Sequence, residues 1–231
     1  MGLRLTVSDL GAPTRNVAAD SAAGANGYLI DQFWQDVSNQ RSDKYGGSIE
    51  NRARFGLEVT KAVIEAVGND PKKVGMRLSP WGNFQGMLMK DPVPQFKYIV
   101  GELRKLDLAY LHLIESRVSG SAADGVYRSA EEGGTKENDP FIKAWGMELP
   151  IILAGGFTPE KARKVVGEQY TGDNVAIAFG RSFISTPDLA FRIQHGIPLN
   201  PWDRPTFYKA GPGGYIDYPF SKEFLAQESR L

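Results

Sequence analysis

Apolar and polar positions along the chain follow two alternating periods. Val74-Gly-Met-Arg-Leu-Ser-Pro80, Leu108 to Ile114, Ile151 to Leu153 and Val175 to Phe179 are short apolar runs of strand length, each closed by turn residues. Around them the apolar spacing widens to that of a helix. Ile49, Ala53, Leu57, Thr60, Ile64 and Val67 share one helical face, with Ser48 placed to cap the start and Gly68-Asn-Asp-Pro71 to stop the end. Phe96, Ile99, Val100 and Leu103 mark a second helix over 93–106, and Asp139 to Gly146 a short one. Lys161 to Glu168 is predicted as a helix begun by Thr158-Pro159. Leu189, Phe191 and Ile193 mark another, opened by Thr186-Pro187-Asp188, and 220–231 predicts a terminal helix. The order is strand then helix, repeated, which requires parallel strands joined by helical crossovers.

The predicted fold class is therefore α/β. Strands starting near residues 74, 108, 150 and 174 supply about half of a (β/α)8 TIM-type barrel. Four strands alone form an open sheet with two bare edges. N-terminal residues or a second copy of the chain, as a homodimer, are the expected covers. At the N-terminus Leu3 to Val7 alternates as a short strand does, Gly11 to Asp20 reads as a loop, and Ser21 to Gly27 reads as a turn or the mouth of a pocket. Trp81 to Pro94 and Val118 to Asn138 are long loops after predicted strands, where barrel enzymes form the pocket rim.

Two strand ends carry candidate chemistry. Ile151 to Leu153 runs into Gly155-Gly156, and Val175 to Phe179 runs into Gly180-Arg181. The last two such turns of a barrel commonly hold a phosphate. Glycine lets backbone N–H groups approach an anion, and Arg181 adds a guanidinium fork. The alternative is that these glycines only turn the chain. Arg77 stands in the apolar middle of its strand, where an unpaired charge is costly. It either snorkels outward to solvent or faces an anionic or electron-rich group inside a barrel mouth. His112 reads as a core histidine.

Composition narrows the classes. Lys+Arg and Asp+Glu both number 27, which points to neither nucleic acid nor an acidic membrane surface. With no cysteine and only His112 and His195, no disulfide, thiolate or histidine-rich metal site is expected. No apolar run approaches the ~18 residues of a membrane span, and the first ten residues are too polar for a signal peptide. A soluble cytoplasmic protein is expected.

The sequence resembles the old yellow enzyme family, the FMN-dependent ene-reductases, and most of all its fungal members. The stretches that carry the resemblance are Gly24-Ala-Asn-Gly-Tyr-Leu-Ile-Asp-Gln-Phe33, Arg41 to Phe55, Val74 to Pro80, Tyr110 to Glu115, Ile152-Leu-Ala-Gly-Gly-Phe157, Phe179 to Leu189, Leu199 to Tyr208 and Gly214-Tyr-Ile-Asp-Tyr-Pro219. It implies that 23–231 corresponds to the C-terminal part of a family barrel, truncated to roughly its second half. Residues 1–22 form a segment without family motifs.

The resemblance also implies roles. Arg77 matches the arginine at the N1/C2 edge of the flavin. Gly155, Gly156, Gly180 and Arg181 match its phosphate cradle, and Phe207 and Tyr208 match aromatics beside the flavin and the substrate mouth. Asn26 matches a donor to the substrate carbonyl, and Tyr28 the tyrosine that protonates the substrate carbon next to that carbonyl. The implied function is an FMN-dependent oxidoreductase reducing an activated alkene of a small molecule, with NADPH or NADH as reductant. Two departures stand out. Ala23 occupies the place of a carbonyl-binding histidine, and the family's first strands lie upstream of anything in this chain, so weak or lost FMN binding is expected. The alternatives are a flavin-free isomerase, cyclase or binding protein, and an inactive fragment.

Overall fold

The computed structural model describes residues 5–6, 20–116, 138–172 and 174–228. Its centre is one sheet of six parallel strands: β1 (Leu5–Thr6), β2 (Asp20–Gly24), β3 (Val74–Leu78), β4 (Tyr110–Ile114), β5 (Ile151–Ala154) and β6 (Val175–Ala178). Their spatial order is β1-β6-β5-β4-β3-β2. Consecutive strands from β2 to β6 are neighbours, and β1 pairs in parallel with β6 at the far edge.

Strand periodicity sorts the side chains onto two faces. Val74, Met76 and Leu78 of β3 are fully buried, as are Leu111 and Leu113 of β4 and Leu153 of β5. They belong to one apolar cluster with Phe96, Ile99, Val100 and Leu103 of α3 (Val93–Arg104) and with Phe141, Ile142 and Trp145 of α4 (Asp139–Trp145). This is the sheet-to-helix core. The opposite face carries Arg77 and His112, in register with each other and with Ala23 and Ile152. One layer below, the Tyr110 ring lies over Gly75, where a Cβ would sit 2.3 Å from it.

The predicted strands at 74, 108, 150 and 174 are β3 to β6, and β1 lies within the Leu3–Val7 run. The reading of Ser21 to Gly27 as a turn holds at Asn26 and Gly27 but is corrected over Ser21 to Gly24, because Asp20–Gly24 pairs with β3 along its whole length. These residues lack the branched and aromatic side chains that mark strands. At Gly24 the small size has a structural reason. The indole of Trp34, at the end of α1 (Leu29–Trp34), is fully buried between β2 and α2 (Ile49–Ala66). A Cβ on Gly24 or on Gly56 would lie 2.4 Å from that ring.

Capping follows expectation. Ser48 Oγ accepts from Asn51 N at 3.3 Å, and Thr158 Oγ1 accepts from Lys161 N at 3.3 Å. The helix expected over 161–168 is α5 (Pro159–Lys164), which widens into one π-helical turn, Val165–Gln169. A five-residue helix, α6 (Arg181–Ser185), was not legible in the sequence and directly follows Gly180. The remaining helices are α7 (Leu189–His195) and α8 (Lys222–Glu228). Of the expected loop Val118 to Asn138, all but Asn138 lies outside the described residues.

One buried ion pair pins the aromatic segment 202–218 at both ends. Arg192 Nε donates to Asp188 Oδ1 at 2.8 Å. Its Nη1 reaches Pro198 O and Asn200 Oδ1, and its Nη2 reaches Pro219 O. Asp188 Oδ2 accepts from Ser221 N and Oγ at 2.9 and 2.6 Å. Among the described residues no helix is long and apolar enough to cross a membrane.

Candidate active site

A cavity of about 570 Å³ opens beside the C-terminal end of β6. Arg77, Gly180, Arg181, Arg204, Phe207 and Tyr208 contribute to its lining. The sheet supplies Arg77 from the middle of β3. Its Nε is buried and has no hydrogen-bond partner among the described residues. Burial pulls the guanidinium below its ordinary pKa. An orphaned donor on a desolvated cation is costly to the fold, and it marks a place where an acceptor belongs.

His112 is the register neighbour of Arg77 and is 4 % exposed. Burial, and secondarily the charge of Arg77, push its pKa down to about 3, so the imidazole is neutral at pH 7. Its Nε2 also lacks a partner among the described residues.

The two glycine turns differ. Gly155 and Gly156 follow β5 with φ of 122° and 61°, a conformation that side chains with a Cβ avoid. They lie outside the cavity lining. Gly180 follows β6 with φ of −89°, which any residue adopts. A Cβ there meets nothing within 4 Å. Gly180 therefore serves open space in the cavity rather than a backbone requirement.

Arg181 lies over the Trp202 ring, 5.2 Å from its centroid. Phe207 is buried in the cavity wall, and Tyr208 is 82 % exposed at its rim. The guanidinium of Arg204 stands 5.7 Å from the centroids of both rings. Arg204 was not singled out from the sequence, because a lone cation in a turn-rich segment carries no periodic signal.

Asn26 and Tyr28 occupy the turn that follows β2. Asn26 has φ of 58°, and its N–H donates to Ser79 Oγ at 2.7 Å. Gly27 N donates to Asp31 Oδ2 at 2.9 Å, and Gln35 Nε2 donates to Asp31 Oδ1 at 2.8 Å. Asp31 is fully buried, and desolvation outweighs these hydrogen bonds, raising its carboxyl to about 6. Tyr28 is 58 % exposed. Neither Asn26 nor Tyr28 lines the cavity that contains Arg77. They share its end of the sheet through Ala23 and Gly24, which pair with Arg77 and Leu78. Asp31 and Ser79, which hold this turn, were missed, although a carboxylate inside Tyr28-Leu-Ile-Asp-Gln-Phe-Trp34 was a visible signal.

Among the described residues the cavity lining contains Arg77, Arg181 and Arg204 and no carboxylate. That donor set suits a ligand with an anionic end and a planar, electron-rich body, which fits FMN. No group of three or more His, Cys, Asp or Glu side chains among the described residues is arranged to hold a metal ion.

Comparison with known proteins agrees with this geometry. Residues 20–200 match the model of the NADH:flavin oxidoreductase / NADH oxidase family. The chain belongs to that family, the family of the old yellow enzymes. It is 48% identical over 224 residues to a chanoclavine-I aldehyde reductase of Penicillium roqueforti, covering 94% of this chain and 58% of the relative. It is 50% identical over 207 residues to a probable inactive dehydrogenase of Claviceps purpurea, covering 88% of this chain and 53% of that protein. Among solved structures, morphinone reductase in complex with tetrahydroNAD superposes with a TM-score of 0.75 at 35% identity, over 90% of this chain and 51% of that one. An old yellow enzyme from Pichia gives 0.73 at 35% identity, over 89% and 50%. The chain thus spans about half the length of the relatives it matches, as expected for part of a TIM-type barrel.

Proposed function

We propose that the chain is an FMN-binding oxidoreductase that acts in the cytoplasm on a small molecule carrying an alkene conjugated to a carbonyl, such as an unsaturated aldehyde. The observation that carries this reading is the orphaned Nε of Arg77 in a cavity that also holds Gly180 and Arg181. When bound, FMN supplies the redox chemistry, passing hydride from NADPH or NADH to the alkene.

The chain's own residues have separable tasks. Arg77 would hold the electron-rich edge of the ring system, where its desolvated charge is worth more than in water. Gly180 and Arg181 would hold the phosphate, with Gly155 and Gly156 shaping the adjacent turn. Phe207 forms a buried apolar wall of the cavity, and Tyr208 stands at its open rim. The amide of Asn26 is the donor for the substrate carbonyl, and the phenol of Tyr28 holds the proton for the adjoining carbon. Ala23 leaves the second carbonyl donor absent, so turnover is expected to be about 10²–10³ below that of a site with both donors. A homodimer that covers the outer edges of β1 and β2 is part of the same reading.

The test is a titration of the purified chain with FMN, followed by flavin fluorescence. Saturable quenching that weakens in Arg181→Ala supports the reading. A chain that leaves flavin fluorescence unchanged up to millimolar protein overturns it. Light scattering coupled to gel filtration tests the dimer, and a monomeric mass at all concentrations rejects it.

A further inference from the structure

We infer that Arg204 is a second phosphate-binding residue of the cavity, forming with Arg181 a two-arginine clamp for a phosphomonoester. The inference rests on the reading of this cavity as the flavin site. A phosphomonoester carries nearly two negative charges at pH 7, and Arg181 supplies only one positive charge.

The structure links the two arginines through a chain of ring contacts. Arg181 lies over Trp202 at 5.2 Å, Trp202 packs against Phe207 with centroids 6.0 Å apart, and Arg204 lies over Phe207 at 5.7 Å. Arg204 is half-buried and lines the same cavity. Among the described residues it forms no ion pair or hydrogen bond through its side chain; its contacts are the faces of Phe207 and Tyr208. Stacking orients a guanidinium while leaving its N–H edge available for a bidentate contact.

The backbone beneath Arg204 is fixed as well. Thr206 Oγ1 donates to Asp203 O at 2.7 Å and lies 2.9 Å from Gly214 O. Asp203 N donates to Tyr218 Oη at 3.1 Å. The nearby carboxylate of Asp217 accepts from Gly214 N at 2.7 Å and does not pair with Arg204. A cation held this rigidly, without a carboxylate, fits an anion-binding role better than a structural one.

The experiment compares FMN, riboflavin and inorganic phosphate on the wild-type chain and on Arg204→Gln and Arg204→Lys. Flavin fluorescence reports the first two ligands, and Trp202 emission reports phosphate. Arg204→Gln is expected to weaken FMN by about tenfold and leave riboflavin, which lacks the phosphate, unchanged. Arg204→Lys restores part of the loss, keeping the charge without the fork. Unchanged FMN affinity in Arg204→Gln, or equal weakening of FMN and riboflavin, overturns the clamp. If the wild-type chain ignores FMN but binds phosphate in an Arg204-dependent way, the flavin reading fails and the anion site stands. If it binds neither, both fall.

Discussion

Arg77 and His112 stand side by side on adjacent parallel strands, in register, each with a buried ring or guanidinium nitrogen that has no partner among the described residues. Two neighbouring nitrogen-bearing side chains on one face of the sheet with unmet hydrogen-bonding capacity are a cost that the fold alone does not explain. Replacing Arg77 with Met keeps much of the length and removes the charge. The thermal midpoint of Arg77→Met is expected to rise by a few degrees while FMN affinity falls by at least about tenfold. Parallel losses in both would show that the guanidinium supports the fold.

The Gly180 turn separates ligand binding from folding. Its φ is ordinary and its missing Cβ would meet open space. Gly180→Val is therefore expected to change unfolding free energy by less than about 1 kcal/mol while reducing FMN binding by filling the cavity. Gly156→Ala is expected to behave in the opposite sense, because its φ of 61° strains any side chain. Denaturant midpoints measured beside flavin titrations distinguish the two.

Stability should depend on pH through two buried groups of opposite sign. The Asp31 carboxyl rises from 3.8 to about 6 on folding. Below pH 3.8 it is protonated in both states. Between 3.8 and 6 the folded chain keeps a proton that the unfolded chain has released, so stability is lost as pH rises, by ~3 kcal/mol in all. His112 falls from 6.5 to about 3, and its contribution is lost as pH drops below 6.5. In Asp31→Asn only the His112 dependence remains of these two. Relative to wild type, urea unfolding of the variant is expected to shift by ~2.5 kcal/mol in its favour between pH 4 and pH 7. A difference independent of pH would contradict this assignment.

Ala23 is exposed and pairs with Arg77 across β2 and β3. Ala23→His places an imidazole donor next to the turn that carries Asn26. Under the proposed function, kcat/KM for an unsaturated aldehyde should rise by about 10²–10³ with little change in FMN affinity. Steady-state rates with an unchanged flavin titration check this, and an unaltered rate would mean that the substrate carbonyl is not held there.

Much of this architecture was legible in the chain. β3 to β6 are apolar runs of strand length, β5 and β6 closed by glycines, and Ser48 and Thr158 announce their helices. β2 was not legible, because Asp-Ser-Ala-Ala-Gly carries no branched or aromatic residue, and its last position, Gly24, is kept small by Trp34. Tertiary packing decided that element. At the cavity, Arg77 was visible as a charge within an apolar strand, and Gly180 and Arg181 as the turn that closes one. Arg204 and Asp31 were not singled out, because their roles come from rings and backbone groups brought near by the fold.

The indole of Trp34 has a further consequence. One ring occupies the volume of two absent side chains, on Gly24 of a strand and on Gly56 of a helix. These three positions behave as a lock with a single key. A methyl at either glycine jams it, and a smaller residue at 34 frees both glycines to vary. Since the strand end at Gly24 leads directly into Asn26, the fit of this ring sets where the polar turn stands. Pairs such as Gly56→Ala with Trp34→Leu are therefore the place to look for variants in which the chain folds while that turn is displaced.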